Sequence, residues 1–261
     1  YLPLLAKGGF NGKIWCTEAT VDLCHIMIMD SAHIQESEAE WESRKNKRSG
    51  KPEVQPLYTS DDAQMVLRMF RGVAYQQEIE VVPGVSAVFH DVGHLIGSAA
   101  IEIKIEENGV KRTVVFSGDV GNIDQPLIKD PQFIKYADYI VCESTYGDRL
   151  HEIVKDYRVK LAQTIQETFD KGGNVVIPAF AVGRTQELLY FLRDIIVKDM
   201  VKGHKIPVYV DSPMAIETIK VFDDNIYGYF DEEAMARVKD GIDPINFPTL
   251  KTTVTSNESK M

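Results

Sequence analysis

Apolar positions along the chain follow two periods. Val21, Cys24, Ile28 and Ala32 fall at helical spacing behind Thr17 and Glu18, which predicts a helix over 17–42. From Glu36 to Glu53 the chain is dominated by charge and ends in Arg44-Lys45-Asn46-Lys47-Arg48-Ser49-Gly50-Lys51, a run that reads as a solvated loop. Ser60-Asp61-Asp62 opens a second helix through Met65, Leu67, Met69 and Phe70. Short β-like runs follow at Ile79–Val82, Ala87–His90, Ala99–Ile105, Arg112–Ser117 and Tyr139–Glu143, with Asn108-Gly109 as a hairpin signal. Five such runs with few helices among them suggest a sandwich-like layer.

After Glu143 strand and helix alternate. Lys155–Lys171 carries Leu161, Ile165 and Phe169 on one stripe and is stopped by Gly172-Gly173. Asn174–Pro178 reads as a buried strand, Thr185–Met200 as a helix, Ile206–Asp211 as a strand and Pro213–Phe222 as a helix. That order predicts a parallel sheet with covering helices and a domain border near 150–172. The tail Thr252–Met261 is polar and expected to fray.

Composition adds bounds. With 261 residues, 44% of them hydrophobic, the chain can bury one large core or two smaller ones. Charged residues make up 26% and both signs are spread along the sequence, which excludes a disordered chain. The net charge of −10 weighs against a phosphate-rich partner, although a bound metal would supply positive charge of its own. Cys16, Cys24 and Cys142 form no C-x-x-C pair and read as buried reduced thiols. No run reaches the roughly 18 apolar residues of a membrane helix. Tyr1-Leu2-Pro3-Leu4-Leu5 has neither the basic start nor the cleavage pattern of a signal peptide. Without an initiator Met, the chain is expected to begin inside a longer protein or after processing.

Three strings place a reactive side chain where a strand meets a loop: Phe89-His90-Asp91-Val92-Gly93-His94-Leu95-Ile96-Gly97-Ser98, Val115-Phe116-Ser117-Gly118-Asp119-Val120-Gly121 and Val141-Cys142-Glu143-Ser144-Thr145-Tyr146-Gly147. Each has an apolar approach, glycines that relax the backbone, and a His or carboxylate at the turn. Side chains at strand tips can converge on one crevice without disturbing the sheet. Imidazole with carboxylate suits Zn²⁺, Mn²⁺ or Fe²⁺, but two ligands hold a metal weakly, and a His after a strand is often purely structural. Further on, Arg184 follows Gly183 at a helix start, where exposed N–H groups and a guanidinium favour an anion; an ordinary cap with a surface ion pair is the plainer reading. Ser212 before Pro213 repeats the theme, as a phosphate contact or a helix cap alone.

In order, these strings resemble the β-CASP branch of the metallo-β-lactamase superfamily. Gly93-His94-Leu95-Ile96-Gly97-Ser98-Ala99 is similar to its third metal motif and Ser117-Gly118-Asp119-Val120-Gly121 to its fourth. Glu143-Ser144-Thr145-Tyr146-Gly147-Asp148-Arg149 resembles motif A of RNA-processing members, and Pro178-Ala179-Phe180-Ala181-Val182-Gly183-Arg184 the start of the inserted CASP domain. The resemblance implies an α/β fold, with a partial metallo-β-lactamase αββα sandwich over 1–160 and an incomplete β-CASP domain with a mainly parallel sheet over 161–261. It implies a zinc-dependent ribonuclease with two Zn²⁺ per complete site. His94 would bind one metal, Asp119 would bridge two, and Glu143 would orient a histidine that assists the leaving oxygen. Ser98, Arg184 and Ser212 would bind substrate. The implied partner is single-stranded RNA, in the cytoplasm and away from membranes, with self-association left open. The basic run 44–51 gains a second reading as an RNA-contacting arm.

The main metal motif of that family, His-x-His-x-Asp-His, is absent: no two of the six histidines are separated by one residue. The histidines of motifs B and C, expected after the CASP domain, are absent too. The chain is therefore expected to be an internal fragment, inactive alone. Other readings stay open: a non-catalytic interaction module of an RNA-processing complex, a DNA-acting β-CASP nuclease, and a thioester or lactam hydrolase of the wider superfamily. The Glu of motif A disfavours DNA, and the CASP-like segment disfavours the hydrolase.

Overall fold

The computed structural model describes residues 1–150, 156–253 and 258. The chain forms two compact units, Tyr1–Ile79 and Glu80–Met261.

In the first unit, α1 (Leu2–Lys7) is followed by β1 (Ile14–Thr17), α2 (Glu18–Arg48), α3 (Ser60–Leu67) and β2 (Phe70–Val73). β1 and β2 pair in parallel, with Ile14 opposite Phe70. Thr17 caps α2 as the sequence predicts, its hydroxyl accepting from the Thr20 N–H. The helix does not stop at residue 42. It runs through the charged stretch to Arg48, because Glu, Lys and Arg are strong helix formers and Lys45, Lys47 and Arg48 complement the dipole in its last turn. The Lys45 ammonium also lies 5.4 Å from the centre of the Trp41 ring one turn back. α3 starts where expected, in a capping box between Thr59 and Asp62, but ends at Leu67, so that Phe70 enters β2 instead. Glu36 ties α2 to α3, accepting from the Ser60 N–H at 2.9 Å and hydroxyl at 2.7 Å. Ala6, Val66, Leu67 and Phe70 form this unit's core, with Cys16 and Cys24 partly buried against it.

A five-stranded sheet follows, in the order β3 (Glu78–Val82), β4 (Val85–Asp91), β5 (Ala99–Glu107), β6 (Val110–Phe116), β7 (Tyr139–Val141). All five predicted strands are present, as one sheet. β4, β5 and β6 are antiparallel neighbours, with Phe89 opposite Ile101 and Ile103 opposite Val114. Asn108 and Gly109 join β5 to β6 with φ of 51° and 75°, the left-handed pair that a two-residue hairpin requires. β7 lies parallel to β6, so residues 117–138 must cross over between them. Cys142, beyond β7, is exposed, contrary to the expected buried thiol.

The remaining elements are α4 (Tyr157–Asp170), α5 (Arg184–Val197), β8 (Val208–Val210), α6 (Pro213–Asp224), α7 (Ile226–Tyr229), α8 (Glu232–Lys239) and β9 (Leu250–Thr252). The predicted helix start at Lys155 and most of the tail beyond Thr253 lie outside the described residues. Just past the end of α4 at Asp170, Gly172 takes φ +72°. Among the described residues β8 pairs with β9 alone, in parallel. The expected buried strand Asn174–Pro178 joins no ladder among the described residues, and Val176 is 86% exposed. A short apolar run states burial poorly, and here β9 takes the place beside β8. Asp194 of α5 knits the helices together. Its carboxylate accepts two bonds from Arg237 of α8 at 2.7 and 3.1 Å, with Arg158 of α4 at 3.3 Å and Lys198 at 3.2 Å. The Arg237 guanidinium stacks 4.3 Å over the Tyr190 ring.

A candidate metal centre at the strand tips

β4 ends at Asp91, and the chain turns through Gly93 and Gly97, which adopt φ of 63° and 79°. The Asp91 carboxylate accepts from the Gly93 N–H at 2.9 Å and shapes the turn. Burial pushes its carboxyl up to about 6, against the pull of the Gly93 N–H and of Lys129. Ser98 fixes the other side of the loop, its hydroxyl oxygen accepting from the N–H groups of Leu95 at 3.0 Å and His94 at 3.3 Å. The His94 ring stands out from this frame, 41% exposed. His90 belongs elsewhere: its Nε2 meets Glu102 at 2.7 Å.

β6 delivers the second string. The Ser117 N–H donates to the Val141 carbonyl at 2.9 Å, while its hydroxyl oxygen accepts from the Glu143 N–H at 3.0 Å. Gly118 turns with φ 59° under Asp119. Gly121 then presses on the histidine loop. Its N–H donates to the Val92 carbonyl at 2.9 Å, and an added Cβ would sit 1.7 Å from the Gly93 carbonyl oxygen. Only glycine permits that approach.

Glu143 closes the set. One carboxylate oxygen accepts from the Thr145 N–H at 2.9 Å and the other from the Val120 N–H at 3.2 Å, next to Asp119. The Thr145 backbone and hydroxyl, then the Val120 N–H and the nearby His94, hold its carboxyl below the usual range. His94 Nε2 lies 3.9 Å from Asp119 Oδ2, and the Asp119 side chain is 78% exposed.

Two donors of different charge thus meet at the tips of β4 and β6. A tetrahedral zinc with Zn–N and Zn–O near 2.0–2.2 Å places its ligands about 3.4 Å apart, so the observed gap needs little closing. Neutral imidazole with carboxylate is a fitting donor pair for Zn²⁺ or Mn²⁺. Among the described residues no three His, Cys, Asp or Glu side chains group to hold a metal, so His94 and Asp119 fit as part of a ligand set.

Residues 185–261 match the model of the Beta-Casp domain. The chain is 30% identical to Ribonuclease TTHA0252 of Thermus thermophilus over 99% of its own length and 54% of that protein. Transcription termination factor FttA of Methanosarcina mazei is 29% identical over 80% of the chain and 31% of the relative. Cleavage and polyadenylation specificity factor 73 of Drosophila melanogaster is 29% identical over 84% and 29%. These matches support a likeness to the metallo-β-lactamase/β-CASP RNA-processing nucleases. The chain spans about half the length, or less, of these relatives.

The turn before α5 packs on the histidine loop. Gly183, at φ 84°, caps α5, and a Cβ there would lie 2.2 Å from Leu95 Cδ2, on the residue after His94. Buried Gln186 braces the turn, accepting from the Gly183 N–H at 2.8 Å and donating to the Ala181 carbonyl at 3.0 Å. Arg184 begins α5 and pairs with Glu187, the plainer of its two sequence readings. Ser212 caps α6, accepting from the Ala215 N–H at 3.2 Å, and lines a separate cavity of about 710 Å³ with Ala179 and Thr185. The structure therefore gathers His94, Asp119, Glu143 and Ser98, turns Arg184 to Glu187 one residue beyond the Gly183 that packs on Leu95, and uses Ser212 as a cap. Ser98 spends its oxygen on backbone N–H groups of the histidine loop. Sequence reading passed over Asp91, Ser117, Gly121 and Gln186. The two glycines flanking Asp119 were the available signal for Gly121; nothing in the sequence marked Gln186 as buried.

Proposed function

We propose that the gene's full-length product hydrolyses phosphodiester bonds of single-stranded RNA at a two-zinc centre to which this chain contributes His94 and Asp119. The reading rests on one observation: the imidazole and carboxylate meet at two strand tips, 3.9 Å apart, beside a clamped Glu143. Zinc, when bound, lowers the pKa of its water and offsets charge on the phosphoryl oxygens. The chain's own residues supply the frame. Glu143 stays ionised at neutral pH and holds the Asp119 loop through Val120. Ser98 orients the peptide that carries His94. Arg184, at the mouth of the neighbouring turn, offers a cation to a phosphate. Two protein donors fall short of the three a catalytic zinc commonly has, so the remaining ligands are assigned to sequence outside this chain, which alone is inactive. The relatives named a ribonuclease, a termination factor and a cleavage factor favour RNA over DNA. In this reading the protein works in the cytoplasm, and the border between the lactamase-like and β-CASP domains falls near residue 160.

A second reading has one observation behind it. The lack of a three-donor group among the described residues fits a non-catalytic partner in an RNA-processing complex. One assay separates the two. The full-length product should cleave 5′-labelled single-stranded RNA, lose cleavage on chelation, and regain it with Zn²⁺; the His94→Ala variant should stay inactive throughout. Cleavage that survives chelation overturns the metal reading, and a full-length product inert with Zn²⁺ favours the non-catalytic one.

A further inference from the structure

Between α4 and α5 lies an open groove of about 250 Å³, lined by Tyr157, Lys160, Leu161, Arg184, Glu187 and Phe191 among others. That is below the roughly 300–1,000 Å³ of drug-sized sites and closer to the scale of one flat ring. Tyr157 is 54% exposed, and its ring stacks on Phe191 with centroids 6.2 Å apart and planes inclined by 27°. Such a pair offers an aromatic platform with one face packed and the other open. Lys160 is exposed, and no ion pair of its ammonium is found among the described residues. Arg184 is tethered over the groove by its pair with Glu187, the one carboxylate lining it among the described residues.

Position adds to chemistry. Arg184 follows Gly183, and Gly183 lies against Leu95, the neighbour of His94. One lining residue of the groove, Arg184, thus directly follows a glycine that packs on the histidine loop. An aromatic face beside two cations matches a base and its flanking phosphates, the arrangement by which sequence-tolerant proteins hold single strands. A phosphorylated peptide would use the cations and leave the ring idle.

We infer that this groove is a nucleotide subsite for single-stranded RNA, in which a base stacks on Tyr157 and the adjoining phosphates meet Lys160 and Arg184. The inference deepens the proposed RNA reading and rests on it. Binding takes place without metal, which allows the two to be tested apart.

The experiment follows fluorescence anisotropy of a fluorescein-labelled oligouridylate of about 12 nucleotides with the chain in EDTA, across about 50–200 mM salt. Tyr157→Leu, which keeps apolar bulk at an exposed helix start, should weaken binding by roughly tenfold, and Tyr157→Phe by less than about twofold. Lys160→Ala should lower the slope of log K against log salt by about 0.7, the value for one phosphate on a single strand. Thermal melts of each variant should match the wild type. Wild-type affinity in Tyr157→Leu together with an unchanged salt slope in Lys160→Ala would overturn the subsite while leaving the nuclease reading intact. A wild-type chain that does not bind the oligonucleotide overturns the subsite, and cleavage by the full-length product then decides the nuclease reading separately. Equal displacement by a phosphoserine peptide at matched phosphate concentration would also overturn the assignment to RNA.

Discussion

Replacing Gly121 by alanine tests how tightly the His94 and Asp119 loops are locked. The new Cβ would lie 1.7 Å from the Gly93 carbonyl oxygen, 2.1 Å from the Gly93 carbonyl carbon and 2.6 Å from the His94 nitrogen. All three are backbone atoms, so no side chain can rotate away. The Asp119 and His94 loops must separate by more than about 1 Å to reach ordinary contact, and the Gly121 to Val92 hydrogen bond of 2.9 Å must lengthen with them. Overpacking costs about 1–3 kcal/mol, and the rigid contact argues for the upper end. In a unit of this size each kcal/mol lowers Tm by about 2–4 °C, so Gly121→Ala should melt roughly 6–12 °C below wild type. A 1 Å misplacement of reacting groups costs on the order of 100-fold in rate, so RNA cleavage by the full-length product should fall at least that far. Gly147→Ala is the control: its Cβ meets nothing nearer than the Ser144 carbonyl oxygen at 3.3 Å and should shift Tm by no more than about 2 °C. Circular dichroism melts of the three proteins decide the matter. A Gly121→Ala protein that melts within about 1 °C of wild type would refute the locked-loop account.

Three further expectations follow from the same geometry. The Asp91 carboxyl is raised in the fold, so its protonated form favours folding; the contribution is fully present below the unfolded pKa near 3.8 and is lost as pH rises through about 6. Asp91→Asn should match wild type in urea titrations near pH 4 and exceed it by up to about 3 kcal/mol at pH 7.5, and a constant difference across that range would contradict the burial argument. Asp194→Ala leaves Arg237 with Glu233 alone and should cost about 3 kcal/mol by denaturant unfolding. Burial pushes the Asp194 carboxyl up, but Arg237 and Lys198 outweigh it and hold it below the usual range, so this stabilisation is present above the unfolded pKa and fades as pH falls through the lower folded one. Iodoacetamide followed by mass spectrometry should label exposed Cys142 first. Burial pushes the Cys16 thiol up to about 12 and also raises Cys24, so both should react at least tenfold more slowly.

The strand tips were readable because a turn leaves a mark. Apolar alternation ends, a glycine follows, and one charged side chain stands between, as at Gly93-His94 and Gly118-Asp119. Asn108-Gly109 was readable for the same reason: its φ signs follow from residue type. What the sequence hid depends on three dimensions. Charge between Glu36 and Arg48 suggested loop, yet helix propensity and the dipole at the last turn favour helix. The run Asn174–Pro178 carries strand residues, but a strand needs a partner that local pattern does not specify, and β9 pairs with β8 instead. Gly121 and Ser117 matter through backbone contacts between segments some 25 residues apart, which no local pattern encodes. Ser212 and Arg184 looked alike as helix starts. Only the packing of Gly183 on Leu95, the residue after His94, tells them apart.

Anomalous scattering at the zinc absorption edge, from crystals of the full-length product, tests the central claim most directly. The account predicts a zinc peak within about 2.0–2.2 Å of both His94 Nε2 and an Asp119 carboxylate oxygen, with Glu143 still held by the Thr145 and Val120 N–H groups. Zinc bound elsewhere with His94 and Asp119 unligated, or no peak after zinc loading, would contradict it.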